Sequence, residues 1–189
     1  MIEVEIRGRL DKAGFDRLKQ FMEKSGKHIQ SHEREMYLLL DYPGFDIDPN
    51  VRSTDIRLRR TDDFCEIMLK RNVGAHNAAR EEISLPLGVS ELAEAKKMLS
   101  ALGHKQAIGM QRWKDIYIYQ GVEWSLVRTP KDYFYYEAEL VVENGVNPDA
   151  AHKQLEAAVK ALELPLLDPD GTREFFYFLD KEVNEIVDL

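Results

Sequence analysis

Residues 2–10 read IEVEIRGRL. Their alternation has a period of two, so on an extended strand Ile2, Val4 and Ile6 share one face while Glu3, Glu5, Arg7 and Arg9 share the other. The polar face is ionic throughout. The pattern returns along the chain. Residues 54–60 (TDIRLRR) set Ile56 and Leu58 against Arg57 and Arg59, and residues 64–70 (FCEIMLK) set Ile67 and Leu69 against Glu66, Met68 and Lys70. Residues 79–85 (AREEISL) set Ile83 and Leu85 against Arg80, Glu82 and Ser84. In 110–119 Arg112, Lys114 and Ile116 share a face; in 134–142 Glu137, Glu139 and Val141 do. An ordinary solvent face mixes Thr, Ser, Lys and Glu, whereas here Arg and Lys gather on middle strands and paired Glu on the first and a late strand. A sheet closed on itself with the ionic face inward explains this grouping, provided the interior is wide, wet and holds something highly charged. The expected class is α+β: a closed antiparallel β-barrel of about eight strands with helices packed outside.

Helical spacing occupies four windows: 11–25, 90–102, 148–162 and 172–187, the last carried by Phe175, Phe176, Leu179, Val183 and Ile186. Gly26, Gly103 and Pro165 supply stops, and Ser90 and Asn147 followed by Pro148 supply starts. Asp41-Tyr42-Pro43-Gly44 and Asn144-Gly145 mark loops, and 43–55 reads as irregular. Glu-x-Glu before an amphipathic helix occurs at Glu3/Glu5 and at Glu137/Glu139, a faint internal repeat. Nothing divides 1–189 into more than one domain.

Composition agrees with a folded chain that needs no disulfide: 189 residues, 44% hydrophobic and 32% charged, with Cys65 the single cysteine. The net charge of −8 disfavours nucleic acid as a partner, so a polyanionic ligand requires a local basic cluster. No stretch approaches the apolar length of a membrane span, and the opening residues lack the pattern of a signal peptide, so a cytoplasmic location without membrane attachment is expected. The five histidines show no metal-ligand spacing, and no glycine-rich phosphate loop, serine elbow or dinucleotide fingerprint is present.

Arg offers a planar fork and Lys a point charge to phosphate oxygens, while Glu oxygens are hard ligands for Mg²⁺ or Mn²⁺. A Glu-x-Glu on a strand presents two carboxylates about 7 Å apart on one face. Basic residues therefore imply a polyanion, and paired carboxylates imply divalent cations beside it.

In this order and at these separations the motifs resemble the CYTH, or triphosphate tunnel metalloenzyme, family over nearly the whole chain. Glu3-Val4-Glu5-Ile6-Arg7 resembles its N-terminal Glu-x-Glu-x-Lys, and Ile56-Arg57-Leu58-Arg59 its Leu-Arg-x-Arg strand. Met68-Leu69-Lys70 resembles a strand ending in Thr-x-Lys, Arg80 and Glu82 its Arg-x-Glu, and Arg112 through Tyr117 its basic-x-basic segment. Tyr136-Glu137-Ala138-Glu139 is similar to its Glu-Ile-Glu strand, and Arg173 through Leu179 to its C-terminal motif. The resemblance implies that Arg57, Arg59, Lys70, Arg80, Arg112 and Lys114 grip a triphosphate and that Glu3, Glu5, Glu82, Glu137 and Glu139 hold Mg²⁺ or Mn²⁺. Glu3, Glu5 and Arg7 would carry catalysis.

Three departures stand out. Arg7 replaces Lys, Val127 stands where the family has a metal-binding Asp, and Ser84 stands where a second acid often follows Glu82. The expected function is hydrolysis of a small triphosphate. Two alternatives stay open: adenylate cyclase chemistry on ATP, with Tyr37, Trp113, Trp124 or Tyr133 stacking the base, and a tunnel that binds triphosphate without turnover. The last helix is expected either to cover a tunnel end or to pair with another copy in a homodimer.

Overall fold

The computed structural model describes residues 2–43, 45–46, 54–72, 79–88, 91–143 and 147–189, with the backbone alone at 72, 79 and 80. The starts and loops expected at Ser90, Gly44 and Asn144-Gly145 lie outside the described residues, as does most of 43–55.

Among the described residues nine strands form one antiparallel sheet: β1 (Ile2–Leu10), β2 (Lys27–Leu39), β3 (Thr54–Thr61), β4 (Phe64–Asn72), β5 (Ala79–Leu87), β6 (Gln106–Tyr119), β7 (Val122–Arg128), β8 (Phe134–Val142) and β9 (Glu185–Asp188). Neighbours run β2-β3-β4-β5-β1-β8-β7-β6, and β2 also pairs with β6, which closes eight strands into a ring. Closure leaves β2 and β6 no free edge between them, the usual exposure of a long strand. Val122 follows Gln120 and Gly121, both at positive φ, which turn the β6–β7 hairpin in two residues.

Helices cover the outside. In α1 (Lys12–Ser25) the Asp11 carboxylate caps the first turn through Gly14 N–H at 2.6 Å, and Phe15, Leu18 and Met22 are buried. In α3 (Asp149–Ala161) Ala151, Leu155 and Val159 recur at helical spacing and join that core with Val4, Ile6, Trp124 and Tyr136 from β1, β7 and β8. A second core lies under α2 (Leu92–Ala101), where Ala95 and Leu99 meet Leu58 and Leu39. Ile83 and Leu85, expected beneath a helix, are more than half exposed instead, because α2 packs over β3 and α3 over β1 and β8.

The last helix, α4 (Pro169–Glu182), is capped by Asp168 and ends where Val183 and Asn184 N–H groups both turn back to the Leu179 carbonyl. The helix expected to reach 187 is thus cut short. Residues 185–188 pair with Gln106–Gly109 of β6, filling the edge of β6 that the shorter β7 does not reach. Ladder bonds there outweigh the helical spacing of Val183 and Ile186.

The segment before α4 crosses β1 closely: Leu167 N–H donates to the Arg7 carbonyl at 2.9 Å, and the Tyr136 hydroxyl donates to the Pro165 carbonyl at 2.6 Å. A Cβ on Gly8 would sit 1.9 Å from that carbonyl and 2.3 Å from the Tyr136 ring. Gly8→Ala is expected to cost about 2–3 kcal/mol by forcing the crossing away from the strand. Chemical denaturation measures it; an unchanged midpoint would show the crossing to be freely displaceable. No described helix is long and apolar enough to cross a membrane.

Candidate functional site

The ring encloses a cavity of about 720 Å³. Strand alternation sends Glu3, Glu5 and Arg7 of β1, Arg57 and Arg59 of β3, Lys70 of β4, Glu82 of β5, Arg112 and Lys114 of β6 and Glu137 and Glu139 of β8 to its wall. Of the residues that sequence singled out, Arg80 alone is not placed: its backbone pairs with Glu3 and Asn72, and its side chain lies outside the description. The wall also contains Arg34 and Asp55, which the sequence reading passed over, and Glu123, which the sequence leaves evenly balanced between the site and a solvated strand face. Glu123 alternates with the core residues Val122 and Trp124, a signal available beforehand.

Charge is partitioned around the ring. The contiguous strands β6, β2, β3 and β4 carry Arg112, Lys114, Arg34, Arg57, Arg59 and Lys70 with the one carboxylate Asp55 beside Arg57, and the contiguous strands β5, β1, β8 and β7 carry Glu82, Glu3, Glu5, Glu137, Glu139 and Glu123. Ion pairs bridge the halves. Lys70 reaches Glu3 and Glu82, each at 2.8 Å, and Lys114 reaches Glu137. Arg7, which lines the cavity from the acidic half, contacts Glu5 at 2.6 Å and Glu137 at 3.3 Å. Arg57 is held by Asp55 at 2.6 Å, yet its buried Nε has no partner among the described residues. Arg112 is turned to the end of α4, donating to Asn184 at 3.0 Å and to the Gln111 carbonyl at 2.7 Å.

Register sharpens the acidic half. Glu5, Glu139 and Glu123 stand directly opposite one another across β1, β8 and β7. Burial, and then Glu3, Glu5 and Glu123, push the Glu139 carboxyl up to about 8. Glu123 and Glu5 are raised as well, burial being the leading cause for both. Glu137 behaves oppositely: burial opposes its ionisation, but Lys114 and Arg7 outweigh it and hold the carboxyl far below the usual range. Lys70 and Arg59 likewise outweigh burial at Glu82 and keep it low.

Among the described residues no three His, Cys, Asp or Glu side chains are gathered into a ready-made metal site. The donor set nonetheless has the chemistry of one: Glu5, Glu123 and Glu139 are hard oxygen ligands, and Glu123 and Glu139 form no ion pair with a described cation. Such a row costs stability until positive charge arrives. Val127, at the position expected to bear an acid, packs with Tyr135, Phe175, Leu179 and Val183 under α4, where a carboxylate would be buried in apolar contact. Ser84 donates to Glu66, which is occupied by Arg59 at 2.6 Å.

Helix α4 packs on Val127 and Tyr135 and contributes to the cavity lining. Phe176 lines the cavity with the Arg7 guanidinium 5.0 Å from its ring centre, and Arg9 lies 5.6 and 5.7 Å from Phe175 and Phe178. The four aromatic residues proposed to stack a base do not line the cavity. Trp124 is fully buried in the outer core, Tyr37 belongs to the core under α2, Tyr133 packs on Phe178 and Trp113 lies beneath Arg128.

No family profile and no curated protein sequence matches the chain. Solved structures do. PH1819 from Pyrococcus horikoshii superposes with a TM-score of 0.73 at 18% identity, covering 92% of this chain and 98% of that one. A proposed adenylyl cyclase from Hippeastrum, whose structure is described as revealing a dominant triphosphatase activity, gives 0.61 at 16% identity over 93% and 95%. A protein from Vibrio parahaemolyticus, also proposed to be an adenylate cyclase, gives 0.64 at 14% over 87% and 90%. The chain has the tunnel fold. In this tunnel fold the ionic strand faces read from the sequence converge on one cavity, and at such identities the likeness speaks for architecture, not for reaction.

Proposed function

We propose that the chain is a CYTH-type enzyme that hydrolyses a small triphosphate with the help of Mg²⁺ or Mn²⁺. The observation that carries this reading is the division of one cavity into a cationic wall and an acidic wall. A polyanion satisfies the first, including the unpartnered Arg57 Nε, but would be repelled by the second unless divalent cations lie between.

Arg57, Arg59, Lys70 and Lys114 would hold phosphoryl oxygens from the β3, β4 and β6 side, while Arg7 neutralises the end nearest α4. Glu3, Glu5, Glu123 and Glu139 would hold the metal, with Glu82 and Glu137 completing the set once the anion has drawn their lysine partners away. When bound there, the metal neutralises phosphate charge and lowers the pKa of a water for in-line attack on the terminal phosphoryl group. Phe176 and α4 would keep bulk water from the part of the cavity they line. Glu123 compensates for Val127, which favours turnover over binding alone.

Purified protein given tripolyphosphate, thiamine triphosphate and ATP with Mg²⁺ or Mn²⁺ is expected to release phosphate. The Glu3→Gln/Glu5→Gln variant should lose about 100-fold or more of that rate. Cyclic AMP from ATP would reassign the cavity to cyclisation. Tripolyphosphate binding without turnover would leave a binding protein.

A further inference from the structure

Next to the residues already assigned lies a block of four side chains on the paired strands β2 and β6. Arg34 stands opposite Arg112 and His32 opposite Lys114. Like charges directly across a ladder destabilise a sheet unless something of opposite sign lies between them. Arg112 is satisfied by Asn184, and Lys114 by Glu137. Arg34 has only the Thr61 hydroxyl, at 3.2 Å, and no carboxylate among the described residues. Burial, and then Arg59, hold its guanidinium below the usual range.

His32 alternates with Arg34 and Met36, both of which line the cavity; it is not itself part of that lining, lies on the same face of β2 beside Arg34, and is only 6% exposed. Neither ring nitrogen has a hydrogen-bond partner among the described residues. The groups facing it are Arg34 of its own strand, Lys114 of β6, Arg59 of β3 and Asp62 of the β3–β4 turn: three cations and one carboxylate. Burial, then Arg34 and Lys114, bring the imidazole down to about 4, so it is neutral near pH 7 and carries one N–H donor and one bare nitrogen. A buried donor among cations lacks an acceptor that brings negative charge.

We infer that His32 and Arg34 form a phosphoryl subsite at the β3–β4-turn end of the cationic wall, in which both donate to one phosphoryl group of the bound chain. This rests on the polyanion reading above and adds to it a measure of chain length. Along β3 the inward cations are Arg57 and then Arg59, and Thr61, two residues further, is the register partner of Arg34. On that order along β3, a diphosphate would occupy Arg57 and Arg59, and a third phosphoryl group would fall to the subsite.

Calorimetric titration of the full chain with tripolyphosphate and with pyrophosphate tests this. His32→Phe removes the unpaired donor while filling the space, and its thermal midpoint should not fall. It should weaken tripolyphosphate binding about tenfold or more and leave pyrophosphate within about twofold. His32→Gln, which restores a donor, should recover part of the loss. A bound dianion raises the His32 pKa, so at pH 6 the wild type should take up a proton on binding tripolyphosphate, read from heats in two buffers of different ionisation enthalpy. His32→Phe should take up measurably less. Equal weakening of both ligands, or unchanged affinity and unchanged buffer dependence, overturns the subsite and leaves the polyanion reading intact. Failure of the wild type to bind either ligand overturns both.

Discussion

Glu137→Gln is expected to destabilise the protein by about 3 kcal/mol at pH 7, with most of the loss recovered on adding tripolyphosphate. The Glu137 carboxylate is the shared partner of Lys114 and Arg7, and Lys114 is buried. Removing its charge leaves buried Lys114 without an ion-pair partner among the described residues and Arg7 with Glu5 alone, which costs more than the pair itself contributes. The pH dependence has a definite sign. Because the folded-state carboxyl is held below its unfolded value, the stabilisation is present above about pH 4.5 and disappears as pH falls through the folded-state value. Urea denaturation at pH 7 and at pH 3.5 should therefore show a wide gap between wild type and variant that narrows in acid. A constant gap would mean that lost packing, not lost charge, is responsible. Rescue by an anion separates the cationic wall from a merely structural ion pair.

Two residues further along the same strand the expected sign reverses. Glu139→Gln should stabilise the metal-free protein, on the order of 2 kcal/mol near pH 8, while metal-dependent turnover falls about 100-fold. Glu139 sits between Glu5 and Glu123 in register, with Glu3 also near, and its folded-state carboxyl is raised to about 8. A raised carboxyl makes the native state hold a proton that the unfolded chain has released. Stability is consequently lost as pH climbs from about 4.5 to 8, and the advantage of the variant should grow over that window. Mn²⁺ should raise the thermal midpoint of the wild type more than that of the variant, a readout independent of catalysis. A variant less stable than the wild type at pH 8, or equally stabilised by Mn²⁺, would show that the glutamate row neither repels nor binds. Opposite stability changes at Glu137 and Glu139 would separate a carboxylate placed for cations of the chain from one placed for a cation that must be supplied.

The inward faces of β1, β3, β4, β6 and β8 were legible because strand alternation is local: which side chains share a face depends only on odd and even positions. The faces of α1 and α3 were legible for the same reason at a period near 3.6. β2 resisted, since Leu38 and Leu39 are both buried, one toward the cavity and the other toward α2, and no alternation survives there. Its His32 and Arg34 therefore went unnoticed. Glu123 stayed undecided between cavity and solvent because a short strand between two clear ones offered little pattern of its own.

The sequence by itself determined that the strands are amphipathic with ionic faces, that acidic pairs lie on β1 and β8 and basic residues on β3, β4 and β6, and that one face must meet a charged interior. Only the tertiary structure decided which strands are neighbours. Pairing of β2 with β6 closes the ring, completes the wall of cationic strands and sets His32 beside Lys114, while the ladders from β5 through β1 and β8 to β7 join the acidic strands and set Glu123 beside Glu139. Residues 185–188 became a strand only through their pairing with β6. Face is a property of successive residues, whereas adjacency is settled by ladder bonds between segments far apart in the chain, and no local period encodes them.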